Sequence, residues 1–385
     1  MSERTEVRLG DLCDFRGGSA FPQHEQGASS GAFPFIKVSD LALGENAKFI
    51  NVANNWITQE QRMRLKLALA PRDSVLFAKI GEGLKAERLR VATRDTAFDN
   101  NVMAAVPKRD LCDPGFLHYL LSTVGLASHA VGSALPYLKQ STLSEIRCFV
   151  PSRPDQRGIA EVLGALDDKI TANSRIASLS DELAGGQLRA ALDVTRTRLD
   201  SIAEITMGSS PPGTSYNETG QGMVFYQGVR DFGVRSPSNR VWTTEPSRVA
   251  EAGDTLLSVR APVGRVNVAT ETTCLGRGLA GLRSKAPATL YHLLRSVPEV
   301  WAPYEAEGTV FGSINRPQLA ALLVPAVDPS RSEELEAQLL ALDSRTACAL
   351  MENERLAQTR DALLPLLMSG KVQVKDAESV VGEVL

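Results

Sequence analysis

Residues 155–183 read DQRGIAEVLGALDDKITANSRIASLSDEL, and apolar side chains recur in this stretch at alternating spacings of four and three residues. This period is typical of a helix whose apolar stripe packs along a second helix, as in a coiled coil. The spacing therefore predicts a long helix over about residues 155–183. Its seam positions are Ile159, Leu163, Leu166, Ile170, Asn173, Ala177 and Ser180.

A second stretch with the same period occupies residues 332–367. We expect the two helices to pair in antiparallel orientation, the alternative being that each helix packs on its own domain. Each seam contains one asparagine, Asn173 or Asn353, and a single seam asparagine fixes the register of a helix pair at a cost in stability. The second seam consists of Leu335, Leu339, Leu342, Thr346, Ala349, Asn353, Leu356, Arg360, Leu363 and Leu367.

Short phrases that precede and enter the two helices also occur twice, in the same order and with loops of different length between them. A duplicated chain predicts a pseudo-two-fold object, and duplex DNA is a common partner with that symmetry. The matched phrases are residues 7–12 with 197–202, 73–77 with 254–258, 91–93 with 268–270, 149–151 with 323–325, and 165–167 with 341–343.

The repeat predicts a mixed α/β fold of the α+β class. Two tandem domains are each followed by a long α-helix, and the helices pair as an antiparallel coiled coil with pseudo-two-fold symmetry. We expect Gly185 and Gly186 to end the first helix before a linker, because glycine disfavours a helix interior. The predicted boundaries are residues 1–150 for the first domain, 151–196 for the first helix and linker, 197–328 for the second domain, 329–370 for the second helix, and 371–385 for a C-terminal tail.

Shorter elements are also predicted within the domains. Residues 35–38 and 74–78 are apolar and bounded by turn residues, which is typical of buried strands. Residues 58–69 follow helical spacing, with Thr58 as the expected N-cap. Short helices are expected at residues 116–124 and, in the second copy, at residues 289–294.

The composition is that of a globular protein, since 43% of the 385 residues are hydrophobic and 23% are charged. The net charge of −3 argues against a protein that coats nucleic acid indiscriminately. The five cysteines are scattered without a CxxC pair, which argues against a disulfide framework or a zinc site. No stretch is apolar enough for a membrane span, and the polar N terminus lacks a secretory signal, so we expect a cytoplasmic protein without a membrane partner.

The sequence contains none of the common catalytic motifs: P-loop, GxGxxG, GxSxG and HExxH are all missing. The four histidines do not have the spacing of metal ligands. Residues 208–212 read GSSPP, which lacks both the amide or carboxylate before Pro-Pro and the aromatic after it that amino-methyltransferases carry. The sequence therefore predicts a non-catalytic chain without a cofactor or a metal.

Basic side chains follow matching strands in both copies, on loops that are expected to bind a ligand. Arginine presents a planar fork that can bond guanine O6 and N7, whereas lysine is a point charge suited to phosphates. A solvated surface is the alternative for any single residue, and a GC-rich genome would give the same bias toward arginine. The candidate DNA-binding residues are Lys79, Lys85, Arg88, Arg90, Tyr137, Lys139, Arg230, Arg260, Arg265, Arg277, Asn315 and Arg316.

Together these features resemble the specificity (S) subunits of Type I restriction–modification systems. The resemblance covers essentially the whole chain and rests on the double layout and on an ordered set of phrases. Residues 333–336 (EELE) depart from the Gln-Arg pair that is usual at helix entry in that family. The phrases that carry the resemblance are residues 8–12 with 17–18, 35–41, 73–77, 225–232, 253–257, and 150–151 with 156–160 and 166–170.

Such a resemblance implies that each domain is a target recognition domain that reads one half of a bipartite sequence in double-stranded DNA. It also implies that the helices set the gap between the halves and dock two modification subunits, which would carry S-adenosylmethionine and methylate adenine. Restriction subunits would use ATP and Mg²⁺ to translocate and cut the DNA. Two alternatives are a self-contained DNA methyltransferase fusion and a symmetric protein–protein scaffold without DNA contact.

Overall fold

The computed structural model describes residues 4–132, 135–305 and 312–385. Residues 1–3 of the polar N terminus discussed above therefore lie outside the described residues. Contacts divide the chain into two compact units, residues 1–174 with 351–385 (unit 1) and residues 175–350 (unit 2). Each unit contains one domain together with parts of both long helices.

The first domain belongs to unit 1 and is built mainly from short strands. Its strands are β1 (Thr5–Arg8), β2 (Cys13–Gly17), β3 (Phe33–Ile36), β4 (Phe49–Ile50), β5 (Trp56–Ile57), β6 (Leu69–Ala70), β7 (Val75–Ala78), β8 (Arg90–Ala92), β9 (Thr96–Phe98), β10 (Val102–Pro107) and β11 (Arg147–Val150). Its helices are α1 (Leu9–Leu12), α2 (Gln59–Leu65), α3 (Gly81–Lys85), α4 (Pro114–Val124) and α5 (Gln140–Ser144). The strands form sheets in the orders β2-β10-β7-β8-β4 and β5-β3-β9-β6, and β1 pairs with β11.

The first long helix, α6 (Arg153–Ala191), precedes the second domain, which belongs to unit 2. Its strands are β12 (Leu192–Arg198), β13 (Glu204–Met207), β14 (Tyr216–Asn217), β15 (Met223–Tyr226), β16 (Trp242–Thr243), β17 (Val249–Ala250), β18 (Thr255–Ser258), β19 (Val266–Val268), β20 (Thr273–Leu275), β21 (Leu279–Arg283) and β22 (Leu323–Val327). Its helices are α7 (Leu199–Ile202), α8 (Pro287–Ser296) and α9 (Arg316–Ala320), and the chain ends with α10 (Ser332–Ser369) and α11 (Val374–Val384).

The second domain repeats the strand arrangement of the first. Its sheets have the orders β13-β21-β18-β19 and β14-β16-β15-β20-β17, and β12 pairs with β22. The parallel pair β3 and β9 of the first domain is matched by the parallel pair β15 and β20. The α+β fold and the duplication predicted from the sequence are confirmed by this topology.

Backbone hydrogen bonds identify equivalent residues and correct two sequence matches. The match of residues 73–77 with 254–258 is wrong by one residue, because the N–H groups of Asp73 and Gly253 donate to the equivalent carbonyls of Ala92 and Ala269. The N–H of Leu9 donates to the carbonyl of Ile146, and the N–H of Leu199 donates to the carbonyl of Leu322. Ile146 and Leu322 are therefore equivalent, and so are the residues that follow them, 147 and 323. The match of residues 149–151 with 323–325 is wrong by two residues, because a Val-Pro pair occurs at different places in the two ladders.

The short predicted elements are present, with different ends in the structure. The two strands correspond to β3 and β7, and the two short helices to α4 and α8. Thr58 caps α2 by accepting a hydrogen bond from the N–H of Gln61, whose side chain accepts one from the N–H of Thr58 in return. The helix ends at Leu65 rather than at residue 69, because Lys66 adopts a left-handed conformation (φ 50°) and residues 69–70 form β6.

The long helices α6 and α10 contact each other. In unit 1, Arg360 donates to Asp167 Oδ1 at 2.9 Å and Asn173 donates to Glu352 Oε2 at 2.7 Å. Residue numbers rise along one helix as they fall along the other, so the pair is antiparallel, as predicted. Most of the predicted seam positions are buried, including Ile159, Leu163, Leu166, Asn173, Leu335, Leu339, Leu356 and Leu363.

Helix α6 continues through Gly185 and Gly186 to Ala191, so the prediction that these glycines end the helix is wrong. Glycine costs about 1 kcal/mol relative to alanine in a helix interior. The neighbouring Ala184, Leu188 and Ala191 are buried in the core of unit 2. Burial of a leucine side chain contributes about 1.5–3 kcal/mol, which offsets the glycine penalty.

Helix α11 occupies most of the predicted C-terminal tail and packs on unit 1. Ala377 and Val381 belong to the same core cluster as Ile159 of α6. A Cβ added to Gly158 of α6 would lie 2.7 Å from a methyl carbon of Val374, so the two helices are in close contact. Among the described residues, we find no helix that combines the length and the apolar character needed to cross a bilayer.

The glycines of α6 give a prediction about stability. Gly186→Ala should raise the free energy of unfolding by about 0.5–1 kcal/mol, because alanine restricts the unfolded chain and the added Cβ meets no atom within 4 Å. Gly158→Ala is the matched control in the same helix and should lower the free energy of unfolding by about 1–3 kcal/mol, because its Cβ would meet Val374. Urea denaturation followed by circular dichroism measures both changes. Stabilisation by Gly158→Ala would contradict the packing of α11 on α6.

Candidate nucleic-acid interface

Strand ends of the second domain surround an open groove of about 870 Å³. The contributing segments are the ends of β13, β15 and β18 and the turn between β20 and β21. Hydroxyl, amide and guanidinium groups line it, so the groove offers many hydrogen-bond donors. Its polar side chains are Ser209, Ser210, Tyr216, Gln227, Arg260 and Arg277, and these residues define what is termed the strand-end groove.

Two glycines allow these strand ends to approach each other. A Cβ added to Gly278 would lie 2.5 Å from the carbonyl oxygen of Gln227, and one added to Gly208 would overlap the carbonyl oxygen of Gly276. Only glycine tolerates such a close approach of main chain to main chain. The side chains of the strand-end groove are therefore attached to a tightly packed backbone.

Buried aspartates hold the loops that follow β3 and β15. The carboxylate of Asp231 accepts a hydrogen bond from the N–H of Gln227 at 2.8 Å and another from Arg240 Nη2 at 2.6 Å. In the first domain, Asp40 accepts from the N–H of Lys37 at 2.7 Å. Both carboxylates are buried, and their charge is compensated by these donors instead of by water. Lys37 and Gln227 thus occupy equivalent backbone positions that are fixed in the same way.

The structure brings two predicted arginines of the second domain together. Arg260 and Arg277 both line the strand-end groove, and Arg277 Nε donates to Ser210 Oγ at 3.3 Å. Arg260 also pairs with Ser313 in an isolated β-bridge. Both guanidinium groups are exposed to solvent, as a nucleic-acid contact requires.

The other predicted residues of the second domain are placed differently. Asn315 lies two residues after Ser313, the bridge partner of Arg260, and caps α9 by accepting a hydrogen bond from the N–H of Gln318. Arg316 is the first residue of α9, and Arg230 is exposed in the turn beside the groove. Arg265 lines a separate cavity of about 540 Å³ and does not line the strand-end groove.

Three predicted residues of the first domain come together at the corresponding strand ends. The carbonyl of Lys79 accepts a hydrogen bond from the N–H of Leu138. The Lys139 ammonium lies 5.8 Å from the centre of the Tyr137 ring. A Cβ added to Gly17, at the end of β2, would lie 4.0 Å from Lys79 Nζ. The first domain therefore has a basic surface, formed by Lys79, Tyr137 and Lys139, at the strand ends that correspond to the groove of the second domain.

The remaining predicted residues of the first domain do not all share that surface. Lys85 forms an exposed ion pair with Glu82 within α3, and Arg88 is exposed after that helix. Arg90 lines a cavity of about 370 Å³ together with Asp167 of α6. Burial lowers the pKa of Arg90, with a smaller contribution from Arg88. Arg90 thus lies next to the long helix rather than beside Lys79.

Sequence reasoning missed Lys37, Gln227 and Tyr216 as candidate site residues. Lys37 and Gln227 each follow a buried strand that occurs in both copies, and this shared position was the available signal. Tyr216 enters the groove through β14, a two-residue strand without a distinctive sequence pattern.

The two seam asparagines lie at the same level of the helix pair in unit 1. Asn173 donates to Glu352, and Asn353 donates to Ser174 Oγ at 3.1 Å. Each asparagine therefore bonds the opposite helix without bonding the other asparagine. Their role in fixing the register stays a prediction.

The buried histidine and cysteines of the first domain are inert, and the described residues contain no metal-binding cluster. Across residues 4–132, 135–305 and 312–385 no group of three His, Cys, Asp or Glu side chains could hold a metal ion. Burial lowers the pKa of His118 to about 4, so its imidazole is neutral at pH 7. Burial raises the pKa of Cys112 to about 12 and also raises that of Cys13, so both thiols stay protonated and inert.

Comparisons with known proteins agree with this architecture. Residues 1–179 match the family model of the Type I restriction modification DNA specificity domain. The chain is 28% identical over 309 residues to the proposed specificity subunit of the type I restriction enzyme MjaX from Methanocaldococcus jannaschii, covering 71% of this chain and 72% of that protein. It is 27% identical over 172 residues to the type I restriction enzyme MjaIX specificity subunit of the same organism, covering 44% of this chain and 38% of that protein.

A solved structure shares the fold at low sequence identity. The crystal structure of a Type I restriction–modification system S subunit from M. genitalium has a TM-score of 0.66 and 14% identity, and the alignment covers 95% of this chain and 96% of that one. The family match, the relatives and the duplicated fold lead to one conclusion. Residues 1–179 belong to the family of Type I restriction modification DNA specificity domains, and the chain is similar over most of its length to specificity subunits of Type I restriction enzymes.

Proposed function

We propose that this chain is the DNA-reading subunit of a Type I restriction–modification complex and that each domain reads one half of a bipartite target. The observation that supports this most directly is the repetition of one backbone framework with different polar side chains at its strand ends. The first domain carries Lys37 and Lys79 there. The second carries Gln227, which is equivalent to Lys37, and Arg260, which lies one residue beyond the position equivalent to Lys79. Two copies of one framework with different side chains suit two different short sequences.

The side chains divide into base-reading and phosphate-binding groups. Arginine bonds guanine O6 and N7 in a bidentate way, and glutamine bonds adenine N6 and N7. We assign Arg260, Arg277 and Gln227 to base contacts in the second half of the target. We assign Lys79 and Lys139 to phosphates of the first half, because an ammonium is a point charge without directional preference.

We further propose that the long helices set the spacer between the two halves and dock two modification subunits. A protein partner on these helices would cover large apolar side chains that are between 45% and 58% exposed: Leu179 and Leu183 on α6, and Leu340 and Met351 on α10. Methyl transfer from S-adenosylmethionine to adenine would belong to those subunits, and DNA translocation and cleavage would belong to restriction subunits. This chain would supply the sequence preference and no chemical step.

The base contacts of the second domain can be tested once the target has been found by sequencing methylated adenines. In the complex with modification subunits, Arg260→Ala and Arg277→Ala should each weaken binding by about 10- to 100-fold, because a bidentate base contact contributes about 1–3 kcal/mol. The preference for particular bases in the second half of the DNA target should relax, and the preference in the first half should stay unchanged. Competition binding with duplexes altered in one half at a time measures both effects.

Arg198→Ala is the matched control for these two variants. Arg198 lies on β12, outside the strand-end groove, and is exposed in an ion pair with Asp200. It should leave both preferences at their wild-type values. Equal loss at both halves in the Arg260 and Arg277 variants would show that these arginines contact phosphates or support the fold.

A phosphate contact by Lys79 gives a different signature. Lys79→Ala should weaken binding to every duplex by a similar factor and reduce the slope of log affinity against log salt by about one, because one counterion fewer is released. Lys108→Ala is the control, since Lys108 is half-exposed in an ion pair with Asp14. An altered preference for one base, with an unchanged salt slope, would contradict the assignment of Lys79.

A further inference from the structure

A cluster of charged side chains around the buried Asp167 joins the first domain to the long helices within unit 1. Lys48, which precedes β4, lies 3.1 Å from Asp167 Oδ2 on α6 and donates to the hydroxyl of Tyr119 at 2.8 Å. That hydroxyl donates to Asp167, and Arg360 of α10 donates to the other carboxylate oxygen. Asp167 is only 6% exposed, and both of its oxygens are occupied by donors.

A similar cluster joins the second domain to the long helices within unit 2. Arg235, which is 7% exposed, bonds Asp343 of α10 and donates to Asp181 Oδ1 of α6 at 3.2 Å. His292 Nε2 of α8 lies 2.8 Å from the same oxygen of Asp343. The guanidinium also lies 4.7 Å from the centre of the Tyr291 ring, a cation–π contact.

The two domain cations occupy the same place in the repeat. The carbonyl of Lys48 accepts a hydrogen bond from the N–H of Val91, and the carbonyl of Arg235 accepts one from the N–H of Val268. Val91 and Val268 are equivalent residues on β8 and β19, which pair with β7 and β18 in the same way. A cation is therefore placed at this point in both copies, although the surrounding loops differ in sequence and length.

The partners of these cations are matched as well. Tyr119 and His292 are the sixth residues of α4 and α8, counted from the proline that begins each helix. Asp167 and Asp343 end the matched phrase Ala-Leu-Asp in the two long helices. Each unit thus contains a domain cation, a donor on a short helix and an aspartate on a long helix, and these residues are termed the domain–helix clamp.

The opposite charges of the clamp compensate each other's loss of hydration. Burial alone would raise the pKa of Asp167, but Lys48 and the hydrogen bonds from Tyr119 and Arg360 outweigh it, so that this pKa lies below its usual range. Removing one member leaves an uncompensated buried charge, which costs far more than breaking an exposed ion pair. Each domain therefore has one strongly preferred orientation on its helices.

We propose that Lys48, Asp167, Arg235 and Asp343 are positioning residues, which hold each recognition domain in one orientation and thereby make the complex selective for spacer length. This proposal rests on the proposed function described above. One added base pair rotates a half-site by about 35° and shifts it by about 3.4 Å along the helix axis. A domain held in one orientation cannot follow that displacement, whereas a domain released from its clamp can tilt toward the displaced half-site.

The test uses the full chain in complex with modification subunits and duplexes whose spacer has the cognate length or is one base pair longer or shorter. The measured quantity is the kcat/KM of adenine methylation on each duplex. In Asp167→Asn and Asp343→Asn, the ratio of cognate to altered spacers should fall by about tenfold, because one charge of a buried pair is lost. Preference for the bases within each half should stay at the wild-type value.

Matched controls test whether the change in spacer ratio is specific to the clamp carboxylates or follows from the removal of any carboxylate. Asp14→Asn and Asp200→Asn remove carboxylates from exposed ion pairs with Lys108 and Arg198, one in each unit. Both controls should keep the wild-type spacer ratio, since exposed pairs contribute little.

Variants of Lys48 test whether another cation at this position preserves the spacer ratio. Lys48→Met should lower the spacer ratio as Asp167→Asn does, and Lys48→Arg should retain it, because the second clamp uses arginine at the equivalent position. Unchanged spacer ratios in the Asn variants, or an equal loss of activity on all spacers, would overturn the positioning role. Failure of the wild-type complex to bind or methylate any split target would instead overturn the proposed function.

Discussion

Two carboxylates of the long helices, the buried Asp167 and the partly buried Asp343, join the recognition domains to these helices. A carboxylate that is removed from water is stable as an anion only while donors occupy its oxygens. In unit 1, Asp167 is compensated by Lys48 of the domain and by Arg360 of α10. In unit 2, Asp343 is compensated by Arg235 of the domain and by His292 of the short helix α8. The domain core and the helix seam of each unit therefore depend on one another.

Features that follow from local periodicity were predictable from the sequence, including the two long helices, the cap at Thr58 and the order of the repeat. Features that depend on residues far apart in the chain were not. Helix α6 passes through Gly186 because the residues around it are buried in a distant core. Arg90 lies beside the long helix because β8 carries it away from Lys79, and the position of Gln227 depends on the buried Asp231.

The strand ends of the two domains share a backbone framework and differ in the side chains attached to it. Close backbone contacts at the equivalent Gly18 and Gly208, and the turns held by Asp40 and Asp231, fix the framework in the same way in both copies. The side chains attached to that framework are a lysine at residue 37 and a glutamine at residue 227. A new preference for bases can therefore arise from side-chain replacement while the backbone stays unchanged.

The charges of the two clamps are arranged in opposite ways. In unit 1 a single carboxylate lies between two cations, Lys48 and Arg360, whereas in unit 2 the guanidinium of Arg235 lies between Asp181 and Asp343. If recombination moved the second domain onto the first helix segment, its guanidinium would meet a carboxylate already neutralised from the other side. We therefore expect exchange of domains between the halves of such a gene to preserve these contacts only when the crossover points lie beyond the clamp, so that each domain keeps its own stretch of helix.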